Sequence, residues 1–276
     1  MGTDRDERNS VVIPDGVTAI GEGEFADGQF HSVVMPFGVT SIGKSAFLWN
    51  LLSSVDIPRS VVSIGAWAFA WNQLNAVSIP DSVTRISEGA FAGNRLDSID
   101  IPCGVTSIGE WAFDRNWLGF VVIPEGVSFV GEGAFARNQL SSVVIPGSLE
   151  SIAAGAFSDN WLSSVVIPEG VGSVGQWAFA WNQLTSVVMP ESLAAIKEGA
   201  FAGNEIGSVV IPDGVAEIGN MAFSGNPLTS ISLPADMDFS AAAMGQFGEP
   251  FLEFYAANGR KAGIYTFDIS AWTFVG

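Results

Sequence analysis

Short apolar runs closed by proline recur along the chain at a constant interval. Eleven of the 13 prolines stand at positions 14, 36, 58, 80, 102, 124, 146, 168, 190, 212 and 234, each 22 residues after the last. Phenylalanine keeps step from Phe25 through Phe47, Phe69 and so on to Phe223. Ile or Val stands five residues before each Phe, as at Ile20, Ile64, Val130 and Ile218. Asn stands three residues after it, from Asn50 to Asn226, with Gly28 in its place in the first unit. A fixed period of roughly 20–50 residues marks a solenoid, in which no unit buries its apolar face alone and stacking creates the core.

One unit, read from Leu162, shows the elements. Its Ser164–Pro168 stretch alternates with period two and is rich in β-branched residues, which predicts a short strand. Val165 and Ile167 face one side of that strand, Ser164 and Val166 the other. Proline donates no N–H, so pairing should stop there. The following G-x-x-A-F-x-x-N stretch is too short for a regular helix and is expected to be a turn or 3₁₀ segment that plunges its Phe into the core. Its Asn both donates and accepts, so stacked asparagines are expected to form a buried ladder.

The motif L-x-x-V-x-I-P-x-x-V-x-x-I-G-x-x-A-F-x-x-N is carried, for example, by Leu96–Asn116 and Leu162–Asn182. It resembles the BspA-like class of leucine-rich repeats, common in spirochaetes, oral bacteria and some protozoan parasites. The resemblance implies a right-handed leucine-rich-repeat solenoid of about ten 22-residue repeats, with a parallel β-sheet on the concave face and turns or 3₁₀ segments on the convex face. It also implies a surface or exported protein, an adhesin or scaffold that binds a protein partner such as a host matrix protein, with no catalytic activity and no cofactor. Two departures stand out. Many members have units one residue longer, and many carry Cys or Thr where Asn stands here.

The period covers residues 11–234, preceded by a polar segment, 1–10, and followed by a tail, 235–276. Within the tail, Phe251–Thr266 holds both tyrosines, Tyr255 and Tyr265, and is similar to a C-terminal segment of treponemal repeat proteins. An open solenoid end would expose core side chains and a strand edge, so the tail is expected to cap the last unit. A longer period lies over the short one: residues 61–74 and 171–184 match at 11 of 14 positions, and E-G-A-F-A-G-N recurs at 88–94 and 198–204. Both offsets equal five units, so a five-unit block was duplicated and features shared by both halves are weak evidence of function.

The outward positions of the predicted sheet form two rows. One is mostly Ser: Ser32, Ser54, Ser98, Ser142, Ser164, Ser186, Ser208 and Ser230. The other reads Val34, Asp56, Ser78, Asp100, Val122, Val144, Val166, Val188, Val210 and Ser232. The candidate partner-binding residues are Phe120, Val122, Val144, Val166, Val188 and Val210, because proteins seldom leave a contiguous apolar surface without a use. The competing reading is that Val is simply a good strand former. Against it, the strand pattern also reads well where Asp56 and Asp100 occupy that row. Self-assembly through the same stripe is an alternative use.

Eight of the nine tryptophans fall in the turn region: Trp49, Trp67, Trp71, Trp111, Trp117, Trp161, Trp177 and Trp181. Such a row could stack on sugar rings, or it could pack over gaps between turns, which the shared register of Trp67, Trp111 and Trp177 favours. Carboxylates also recur in register, as at Asp15, Asp81, Glu125, Glu169, Glu22, Glu88 and Glu110. No calcium-loop pattern accompanies them, so they read as solvated ridges.

Composition sharpens this picture. With 11 Lys+Arg against 29 Asp+Glu, the net charge of −18 argues against nucleic acid and against an anionic membrane surface. One cysteine, Cys103, precludes an internal disulfide, and one histidine, His31, gives no His-pair metal site. His31 reads as an ordinary edge residue and Cys103 as a loop thiol. No P-loop, strand-following GxGxxG or HExxH is found. No apolar run is long enough to span a membrane and no leader-like segment opens the sequence, so the expected location, outside the cytoplasm, rests on the resemblance alone.

Overall fold

A computed structural model describes residues 9–237, 239, 243, 248–268 and 271–275. Of the polar segment 1–10, residues 1–8 lie outside these. The chain divides into two compact units, residues 1–140 and 141–276.

Each unit is a stack of 22-residue coils held by parallel, in-register pairing. In the first unit, Ser10–Val12 pairs with Ser32–Val34, residue for residue at an offset of one period. A second column of two-residue strands runs along the same coils. Ala19–Ile20, Ser41–Ile42 and Ser63–Ile64 form one ladder, and Arg85–Ile86, Ser107–Ile108 and Phe129–Val130 form another. The sequence pattern predicts one strand per coil, whereas the structure has two columns. A Ser-Ile pair bounded by loops is too short to show a period of two.

The second unit repeats the plan. Ser164–Val166 pairs with Ser186–Val188, and Ser208–Val210 with Ser230–Leu233. The second column is one unbroken ladder from Ser151–Ile152 through Ser173–Val174 and Ala195–Ile196 to Glu217–Ile218. The tail then reverses the strand sense. Gly263–Asp268 pairs antiparallel with Ser230–Leu233, and Ala271–Val275 pairs antiparallel with Gly263–Asp268. Helix α1, Gly248–Ala257, brings Phe251 and Tyr255 against Tyr265, all three fully buried.

The core is a file of phenylalanines. In the first unit Phe25, Phe47, Phe69, Phe91, Phe113 and Phe135 stack with ring centroids 5.4–5.7 Å apart and nearly parallel planes. In the second, Phe157, Phe179, Phe201 and Phe223 do the same at 5.4–5.6 Å. Beside each file runs the expected asparagine ladder. The Asn94 side-chain amide donates to the carbonyls of Phe69, Phe91 and Ala92, and its oxygen accepts from Leu74 N, so one side chain ties consecutive coils together.

The Phe-bearing segment is a run of turns in which two residues, at Phe−2 and Phe+2, take left-handed backbone angles, as at Trp67 and Trp71 around Phe69. Alternate amides bond within the turn (Ala68 N to Gly65 O) or to the next coil (Phe69 N to Ala90 O). The amides from Trp67 to Trp71 are thereby satisfied without a helix.

Candidate functional site

The sequence-predicted partner residues sit where the strand pattern places them. In the first unit Phe120 and Val122 flank buried Val121 and are about half exposed. In the second, Val144, Val166, Val188 and Val210 all face solvent, between 54% and 67% exposed, while Val165 and Val209 beneath them are buried. Val166 and Val188 are directly paired across the ladder, as are Ser164 and Ser186, so a row of valines runs beside a row of serines. At the spacing of paired strands the four valines extend about 14 Å.

One strand expectation fails. Residues 54–56, 76–78 and 98–100 still bury Val55 and Ile99, yet none of the three is paired into a strand. These are the coils with Asp56, Ser78 and Asp100 in the second outward row. Asp fits a pleated surface poorly, and Val fits it well. The exposed valines therefore also serve the ladder they sit on.

The tryptophans have a packing role that the sequence partly reveals. The rings of Trp67, Trp111 and Trp177 are half-buried and lie over Gly89, Gly133 and Gly199, one coil further on. Trp71 and Trp181 lie in the same way over Gly93 and Gly203. Trp49 has no glycine one period later; it stacks on Trp71 at 5.7 Å and stays largely exposed. Trp117 is half-exposed with the Arg95 guanidinium 5.9 Å from its ring, and Trp161 is also exposed. The glycine partners were in the sequence, 22 residues after each ring, but only the stacked coils give that interval a meaning.

Among the described residues one ion pair has a buried carboxylate. Asp114 stands where most coils have a small residue, and Arg137 donates to both its carboxylate oxygens, at 2.8 and 2.9 Å. Arg115 approaches at 3.7 Å. Burial pushes the Asp114 carboxyl above its ordinary value, and the two guanidiniums offset only part of that. His31 and Cys103 are exposed, and no metal-sized cluster of His, Cys, Asp or Glu exists among the described residues. No helix there is long and apolar enough to cross a membrane.

A groove of about 430 Å³ opens on the second strand column of the first unit, a feature the sequence reading missed. Val62, Ser63, Thr84, Arg85, Ser107 and Phe129 line it, with Glu88 and Glu110 along one wall. In this register the first unit reads Ala19, Ser41, Ser63, Arg85, Ser107, Phe129, so the only two large side chains both fall in the groove.

A sequence model of the BspA type leucine-rich repeat region, in six copies, matches residues 5–118 and 116–229. No curated protein matches the chain. Among solved structures, a leucine-rich repeat protein from Bacteroides ovatus is similar over 84% of this chain and 60% of its own, at 27% identity and a TM-score of 0.67. The pneumococcal vaccine antigen PcpA shares the fold at 22% identity and a TM-score of 0.56, over 83% of this chain and 62% of its own. A leucine-rich repeat protein from Eubacterium ventriosum does so at 21% identity and 0.51, over 85% and 62%. The chain thus spans about three-fifths of the length of each.

Proposed function

Since the chain belongs to the BspA-type leucine-rich repeat family, a protein-interaction fold, we propose that it is a binding module for a protein partner, an adhesin or scaffold working through its three-residue-strand face. The observation that carries this reading is the solvent-facing row Val144, Val166, Val188 and Val210, set on paired strands above a buried row. Isolated exposed valines are ordinary, but a contiguous row beside a row of hydroxyls is the make-up of an interface core with a polar margin. Phe120 and Val122 present the same chemistry in the first unit. Ser hydroxyls beside the row supply hydrogen bonds without the desolvation cost of charge.

The same reading places the protein outside the cytoplasm, where a matrix protein of a host is the partner class the family resemblance supports. The test is binding to purified extracellular-matrix proteins, measured on the whole chain and on the Val144→Asp/Val166→Asp variant, with solution mass by light scattering alongside. Loss of matrix-protein binding in a variant that melts like the wild type supports the proposal. A wild-type dimer that becomes a monomer in the variant turns the row into a self-association surface instead. Binding that survives the double substitution removes the row from the interface.

A further inference from the structure

The groove on the second strand column of the first unit has a cause in the sequence. At four coil junctions of this unit a glycine follows the two-residue strand, and its amide donates to the Ile carbonyl one coil back. Gly43 to Ile20, Gly65 to Ile42, Gly109 to Ile86 and Gly131 to Ile108 do so at 2.8–2.9 Å. Between the third and fourth coils the glycine is replaced by Ser87, and its hydroxyl takes the Ile64 carbonyl, at 2.5 Å. The Ser87 amide makes no such bond among the described residues. Neither does the amide of Thr84, although Thr40, Val62, Thr106 and Ser128 in its register all bond one coil back. Bulk alone is not the reason, because Lys197 in the second unit keeps its amide bond to Val174 O. The hydroxyl displaces the amide, the ladder breaks between Ser63–Ile64 and Arg85–Ile86, and the groove lies across that break.

The break exposes a distinct chemistry. The Arg85 side chain is exposed and has no ion-pair or hydrogen-bond partner among the described residues, and the same holds for the carboxylates of Glu88 and Glu110. Val62 and Phe129, both more than half exposed, close the two ends. The hydroxyls of Ser63, Thr84 and Ser107 line the floor between them.

We propose that this groove is a second binding site, for an extended peptide segment of a partner protein that sets a carboxylate on Arg85, a basic side chain toward Glu88 or Glu110, and apolar side chains on Val62 and Phe129. Three coil steps separate Val62 from Phe129, about 14 Å, which is the reach of four extended residues. Floor hydroxyls meet the backbone N–H and C=O groups such a segment carries. Cation and carboxylates lining one groove select a ligand of mixed charge; a polyanion attracted to Arg85 is repelled by Glu88 and Glu110. The site is separate from the valine row and stands or falls independently of it.

Panning a random-peptide phage library on the whole chain, with depletion on the Arg85→Ala/Phe129→Ser variant, tests the proposal. Peptides recovered are synthesised and titrated by fluorescence anisotropy against wild type, Arg85→Ala, Phe129→Ser, Arg85→Glu and Val166→Asp. The expected result is a family pairing an acidic residue with apolar neighbours, bound about tenfold more weakly by Arg85→Ala and by Phe129→Ser. Val166→Asp should bind them like the wild type, and Arg85→Glu should prefer the same peptides with Lys in place of the acid. Unchanged melting temperatures show that the variants fold. Failure to enrich any peptide over the depleted variant overturns the proposal. So does enrichment of peptides indifferent to Arg85 and Phe129, or tighter Arg85-dependent binding of an acidic oligosaccharide.

Discussion

A β-carbon built on Gly89 would stand 2.2 Å from Cε3 of Trp67, the ring one coil before it. Both residues hold left-handed backbone angles, φ 59° at Trp67 and 57° at Gly89, so the indole of one coil lies flat on the bare backbone of the next. Trp111, one coil beyond Gly89, stacks on Trp67 at 6.2 Å. These rings are building material of the turn wall; the more accessible ones are Trp49, Trp117, Trp161 and Trp181.

Gly89→Ala should therefore destabilise the chain by more than its backbone angle alone requires. Gly23 is the control: it has the same register and φ 61°, with nothing within 4 Å of its β-position. Gly23→Ala should cost about 1 kcal/mol from left-handed strain, and Gly89→Ala about 2–4 kcal/mol once the displaced indole is added. Denaturant unfolding of both variants measures the difference, and equal losses would mean that Trp67 moves aside freely.

The asparagine ladder predicts a second large effect. Asn94→Ala removes a buried amide that satisfies the carbonyls of Phe69, Phe91 and Ala92 and the amide of Leu74. Leaving the buried Leu74 amide unpaired and removing one of two donors from each of those carbonyls costs on the order of 3 kcal/mol. Asn94→Asp should be comparably harmful at neutral pH, because a carboxylate cannot donate to those carbonyls. Thermal melting of the two variants checks both statements.

Asp114 should show itself through pH. Its carboxyl is raised above 3.8 by burial, so the folded chain holds that proton more tightly than the unfolded chain does. The stability it contributes is complete below the unfolded value and is lost as pH rises through the folded value. Asp114→Ala installs the residue found in this register at Ala70, Ala92 and Ala136 and leaves Arg137 partly in water. Relative to wild type, the variant should gain stability as pH is raised from about 3 to about 7. Urea midpoints of both proteins across that range give the answer; a variant that loses stability relative to wild type as pH rises contradicts it.

Deleting residues 235–276 should expose the strand Ser230–Leu233, which Gly263–Asp268 otherwise covers. A bare edge invites strand pairing between molecules. Light scattering of the shortened chain should report association, and a stable monomer would deny the tail a capping role. Within the tail, Tyr265 is fully buried and its hydroxyl donates to Lys261 O at 2.6 Å. Tyr265→Ala should approach the deletion in effect, at about 3–5 kcal/mol.

The 22-residue interval, its Phe and Asn positions and the alternating strand were enough to determine a stacked-coil leucine-rich repeat, because a core shared between identical neighbours forces each buried position to recur. They also determined which valines face outward, since a strand has only two sides. What recurs is legible; what depends on the coil above or below is not. That the turn tryptophans need glycines one period later, that Arg137 reaches back to Asp114, and that Asp-bearing coils leave the ladder are facts of stacking. The groove is the sharpest case. Ser87 reads along the chain as a mild replacement for glycine, and only the neighbouring coil, whose carbonyl its hydroxyl captures, turns that change into an opening with Arg85 at its centre.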